Sequence, residues 1–188
     1  MKPFIILDES CASLEGAVAA FAPVFVFTRK KGFLTPTREA VVELERCLSG
    51  TSRPSPPYIL VSASFAGFTA IMYASRHANM VGGLVLVDSS HPRLGEVSLG
   101  LLPACADDES EALREFRRYL GGFGPAWEVS RRQVARIKTL GDIPMIVLAA
   151  GKLEMPDELD PVSRQALQRA CLTYRQSMRR CLPAGGSR

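Results

Sequence analysis

The chain has 188 residues, enough for one hydrophobic core and one domain, and its 47% apolar and 22% charged residues are the balance of a soluble globular protein. A net charge of +4 is too small to mark a nucleic-acid or membrane binder, and the late arginines Arg164, Arg169, Arg175, Arg179, Arg180 and Arg188 read as a solvated helix face. Five cysteines without a CxxC pair, and only two histidines, argue against a disulfide framework and a zinc site and for a reducing cytoplasm.

In chain order, Phe4–Leu7 is a short apolar run followed at once by Asp8 and Glu9, which is not the pattern of a signal peptide. Leu14–Phe21 reads as a helix and Val24–Phe27 as a strand. The apolar stretch from Ala17 to Phe27 is broken by Pro23 and is too short to span a bilayer. Arg38–Leu48 reads as a helix with Thr37 as its cap and the acids Glu39 and Glu43 early in it. Tyr58–Val61 and Leu84–Val87 read as strands on either side of a Gly67–Ala78 helix, and Glu111–Leu120 as a further helix. The glycine-rich segment 121–141 is offered both as a cap over the strand ends and as a plain surface connection. A strand follows at Pro144–Leu148. The last helix is capped by Asp160, with Pro161 in its first turn and Leu167, Ala170, Cys171, Tyr174, Met178 and Cys181 at helical spacing.

The strand runs are continuous in Val, Ile, Leu and Phe, as expected of parallel strands covered on both faces. Their alternation with helices predicts an α/β class: one domain over 1–188, with a doubly wound, mostly parallel sheet of about five strands flanked by helices. No strand follows the last helix, so the fold reads as cut short. Pro144–Leu148 would then be an exposed apolar edge through which the chain dimerises or is only marginally stable.

The most informative stretch is Tyr58-Ile-Leu-Val-Ser-Ala-Ser64-Phe-Ala-Gly67, an apolar strand running into small residues with a serine at the centre and a helix starting at once. This is the pattern of a nucleophile elbow, in which a sharp turn lifts one hydroxyl above the sheet. The pattern here is Ser-x-Ser-x-Ala instead of Gly-x-Ser-x-Gly: small size is kept and glycine's freedom is lost. A serine that merely caps a helix gives the same local pattern. No phosphate-binding glycine loop follows the first strand, which argues against a nucleotide binder.

From Pro57 to Pro92 the chain reads PPYILVSASFAGFTAIMYASRHANMVGGLVLVDSSHP, which resembles the α/β-hydrolase fold family, in particular members reading PPYVLVGHSFGG and then LVLVDPSHP. Val24–Arg29 resembles the strand and Tyr-Asp-Arg turn of those proteins, with Arg29 kept, and Gly141–Gly151 resembles their later strand. The resemblance implies strands three to seven of the usual eight. It places Ser64 as the nucleophile, with the backbone N–H of Phe65 as one oxyanion donor and a second near Ser10 and Cys11. There the chain carries Asp8 and Glu9 where the family has a glycine-containing loop, an unfavourable setting for developing negative charge. The implied acid is Asp88, with Glu154, Asp157 and Glu158 as the alternative place. The family's base is a histidine after its last strand. Here the histidines are His77, on the nucleophile helix, and His91, where the family motif carries a histidine that is not its base. The implied function is serine esterase-like hydrolysis of a small ester-like molecule with an incomplete triad, and the alternative is an inactive binding module on the same fold. No cofactor, metal, nucleic acid or membrane is expected.

Overall fold

The computed structural model describes residues 2–32, 34–49, 55–102, 104, 109–121, 124–150, 159–165 and 167–169. Among the described residues five strands form one parallel sheet: β1 (Phe4–Asp8), β2 (Val24–Phe27), β3 (Tyr58–Ala63), β4 (Val81–Val87) and β5 (Met145–Leu148), in the order β2-β1-β3-β4-β5. The fold is therefore α/β and doubly wound. The chain leaves β1 in one direction to form β2 and crosses back to form β3 on its other side, so the sheet has its switch point between β1 and β3. In such sheets ligands bind outside the carboxyl ends of the strands at that point.

The helices α1 (Glu15–Ala19), α2 (Thr37–Leu48), α3 (Gly67–Arg76), α4 (Leu94–Leu101), α5 (Glu111–Gly121) and α6 (Pro125–Val134) connect or flank the strands. Strand alternation decides which side chains meet which helices. Ile6, Phe27, Leu60, Leu84 and Leu86 face α2, α3 and α6 and form the main core with Val41, Leu44, Phe68 and Trp127. Ile5, Leu7 and Val61 face the other way, toward Cys11, Val18 and Ala22. On that second face, Ile146 and Leu148 of β5 are 58% and 52% exposed. The expected cover on both faces thus holds over β1 and β3 and not over β5 among the described residues. A third, smaller cluster joins Leu102, Leu113 and Phe116 to Leu159 and Leu167.

Several expectations shift in detail. β4 starts at Val81, not Leu84, because Val81 already pairs with Tyr58 and Gly83 with Ile59; Gly82 between them passes close to Pro57, where a Cβ would come within 3.1 Å of the proline ring. α4 has no counterpart among the expected helices, since Gly95, Ser98 and Gly100 weaken its helical pattern. Gly95 is needed there, because a Cβ would lie 2.5 Å from the Leu120 carbonyl oxygen. Pro125–Val134, inside the stretch considered as a cap, is the helix α6, whose Trp127 is buried in the main core. Thr37 is the first residue of α2, not its cap, and its N–H donates to Ser130 Oγ of α6 at 2.9 Å. Asp160 does cap: its Oδ1 accepts from the N–H groups of Val162 and Ser163 at 2.9 and 3.0 Å. The sequence pattern beyond residue 169 lies outside the described residues.

Candidate active site

Parallel pairing brings the carboxyl ends of all five strands to one rim. At the centre β3 ends at Ala63 and the chain turns through a 3-10 segment, Ser64–Ala66, straight into α3. Ser64 is exposed and has φ of 50°, a left-handed conformation that costs a residue with a Cβ about 1–2 kcal/mol. Its neighbours hold it there. The Ser64 carbonyl accepts the N–H of Ser90 at 2.9 Å and the hydroxyl of Ser89 at 3.3 Å, both from the loop after β4. Phe65 is buried, its ring 5.6 Å from Phe68 and 5.5 Å from Trp127. The large side chain next to Ser64 therefore anchors the turn, leaving the serine on the rim.

Asp88 ends the neighbouring strand, exposed and with φ of 42°. Its N–H donates to Leu148 O at 2.6 Å and its Oδ1 accepts the N–H of Ala150 at 3.1 Å. The carboxylate thus ties the end of β4 to the chain leaving β5. Glu154, Asp157 and Glu158 lie outside the described residues.

His91 is 7% exposed, and its Nδ1 accepts the N–H of Arg93 at 3.1 Å. Burial holds its pKa below the usual imidazole value, with the Arg93 charge adding to the effect. His77 caps the far end of α3, where Nε2 lies 2.8 Å from Glu45 Oε1 and the ring stacks 4.6 Å from Tyr73. It is at the opposite end of that helix from Ser64.

The loop after β1 is a 3-10 helix, Glu9–Leu14, at the switch point. The two acids expected to spoil an oxyanion site there are both held by Arg29, whose side chain is fully buried: Nη2 is 2.5 Å from Asp8 Oδ2 and Nη1 is 2.6 Å from Glu9 Oε1. Asp8 Oδ1 accepts from the N–H and the hydroxyl of Ser10 at 3.0 and 2.7 Å. Ser10 Oγ in turn accepts the N–H of Ala63 at 3.3 Å. Cys11 is buried behind this turn; burial pushes its thiol pKa up, partly offset by a hydrogen bond with Ser10, while the Asp8 charge raises it further. Beneath the switch point Asp8, Ser62 and Thr69 line a cavity with Ile6 and Phe27 that has room for about one water.

The structure therefore brings Ser64, Phe65, Asp88 and the Ser10–Cys11 turn to one rim. The sequence reading missed the Asp8–Arg29–Glu9 ion pairs and the Ser89–Ser90 clamp. An arginine and an aspartate at the ends of adjacent strands was the available signal for the first. Among the described residues there is no group of three or more His, Cys, Asp or Glu placed to hold a metal, and no helix is long and apolar enough to cross a membrane.

No protein-family model and no curated protein sequence matches the chain. Among solved structures, a probable hydrolytic enzyme from Pseudomonas aeruginosa PAO1 matches with a TM-score of 0.55 and 16% identity, over 98% of this chain and 76% of that one. At that identity the likeness is one of fold: this chain has the α/β architecture of that protein.

Proposed function

We propose that this chain is a hydrolase-fold protein that transfers acyl groups from small ester-like substrates to Ser64, with slow turnover. The observation that carries the reading is the exposed Ser64 at φ of 50°, in a strand-to-helix turn on the carboxyl rim of a parallel sheet. The hydrolytic role assigned to the Pseudomonas protein supports this chemistry on the same fold. In the proposed reaction Ser64 Oγ attacks the acyl carbon and gives its proton to water at the open rim, and the developing oxyanion is received by the backbone N–H of Phe65 and at the Ser10–Cys11 turn. The alcohol leaves with a proton, and water then releases the acid from the acyl-serine. Asp88 is the acid of the site.

Turnover is slow because His77 sits at the far end of α3 and the Nδ1 of the buried His91 is taken by the Arg93 N–H. Loss of the base costs about 10⁶ in kcat in serine hydrolases, and about 10³–10⁴ over water remains where the oxyanion donors stay. A fluorophosphonate probe should label the protein slowly, and labelling should vanish in Ser64→Ala. Equal labelling of the two proteins would overturn the role of Ser64.

A second reading, a non-catalytic binding protein, is favoured by one observation. Asp88 Oδ1 accepts the N–H of Ala150 and His91 Nδ1 the N–H of Arg93, so the candidate acid and the candidate base each hold backbone at the rim. Under that reading the probe does not label the wild type at all.

A further inference from the structure

We infer that Ser10 is a positioning residue, which couples the buried Asp8–Arg29 pair to the turn that carries Ser64. The inference deepens the reading of Ser64 as the reacting group and rests on it for its chemical consequence. β1 pairs with β3 only as far as Leu7 opposite Val61, after which the β1 chain turns away into the 3-10 helix. The N–H of Ala63 is thereby left without a strand acceptor on that side, and Ser10 Oγ takes the acceptor's place at 3.3 Å.

A hydroxyl has one proton to donate. With the buried Cys11 kept as a neutral thiol, the Ser10 proton goes to Asp8 Oδ1 at 2.7 Å, which turns the oxygen lone pairs toward Ala63. Asp8 cannot swing to another partner, because Arg29 grips its second oxygen and is itself fully buried. The chain of contacts Arg29–Asp8–Ser10–Ala63 thus fixes the 3-10 turn against the residue just before Ser64. That sets the spacing between the Ser10–Cys11 turn and the serine, on which oxyanion stabilisation from this side of the rim depends.

The test compares Ser10→Ala, Ser10→Thr and Ser10→Cys with the wild type by two measurements. Amide hydrogen exchange at Ala63 should quicken about tenfold in Ser10→Ala, the scale of one lost hydrogen bond, while amides in the middle of α3 keep their rates. Fluorophosphonate labelling of Ser64 should slow by about tenfold or more. Ser10→Thr, which keeps the hydroxyl, should restore both. Ser10→Cys is close in size to the wild type and should fall between, and it carries the test if Ser10→Ala does not fold. Unchanged exchange at Ala63, or a labelling rate in Ser10→Ala equal to that of the wild type, overturns the inference. If the wild type is not labelled while Ala63 exchange still responds and threonine restores it, the reactive-serine reading falls and the coupling stands.

Discussion

Ser89 fills the space that a side chain on Gly67 would need: a Cβ built on Gly67 would lie 1.6 Å from Ser89 Oγ and 2.7 Å from Ser89 Cβ. Gly67 has φ of −56°, an ordinary helical value, so its backbone does not require glycine; the serine packed against it does. Through this contact the loop after β4 closes over the start of α3. From there Ser89 and Ser90 reach the Ser64 carbonyl.

Gly67→Ala should therefore destabilise the protein by about 1–3 kcal/mol, the usual cost of overpacking. Adding Ser89→Gly should recover part of that loss by opening the space. Urea unfolding of the two single variants and the double variant measures this.

Strain at Ser64 has its own signature. Replacing Ser64 with glycine or alanine removes the hydroxyl in both cases, but only alanine keeps the cost of φ at 50°. Ser64→Gly should be more stable than Ser64→Ala by about 1 kcal/mol. Equal stabilities in urea would mean that the left-handed turn is not held in solution.

The ion pairs behind the rim set a larger penalty. Arg29→Met should cost about 3–5 kcal/mol, because it leaves Asp8 buried and unpaired. Asp8→Asn in the same chain should return much of it. Arg29→Lys should not substitute, since one ammonium does not reproduce a planar fork reaching Asp8 and Glu9 together. Thermal denaturation of the wild type and these three variants orders the outcomes.

Stability should fall at both ends of the pH range. Tyr73 is 1% exposed, and burial pushes its phenol from the usual 10.0 up to about 12, with Tyr58 and Glu45 adding. Between those values the unfolded chain has lost the phenolic proton and the folded chain keeps it. The folded state then binds more protons, and stability drops as pH rises, by about 2–3 kcal/mol over the full interval. Tyr73→Phe should flatten this limb. His91 acts in the opposite sense: its pKa is held below 6.5, so below that pH the unfolded chain binds more protons and stability is lost as pH falls. His91→Gln should flatten the acid limb. Chemical denaturation from pH 5 to pH 12 reads both.

Much of the fold was legible because buried parallel strands write themselves as unbroken apolar runs. The core of each of the five strands was readable, and Val24–Phe27 matched residue for residue. Boundaries failed where a contact distant in sequence decided them. The N–H of Thr37 is received by Ser130, ninety-three positions away, and nothing near Thr37 announces this. α4 was hidden by its glycines, one of which is there because α5 passes close by.

The chain alone determined the strand-to-helix junction at Ser64, since an apolar run, a cluster of small residues and a helical pattern are local properties of neighbouring side chains. It also determined which residues would be available for chemistry, including the presence of only two histidines. Only the folded structure decided what those residues touch. Asp8 and Glu9 read as bare acids and are both held by Arg29, just past the end of the adjacent strand, while Asp88 turns one oxygen to Ala150. The reason is physical: a backbone conformation is set largely by adjacent residues, whereas the partner of a charge is set by which strand end lies beside it.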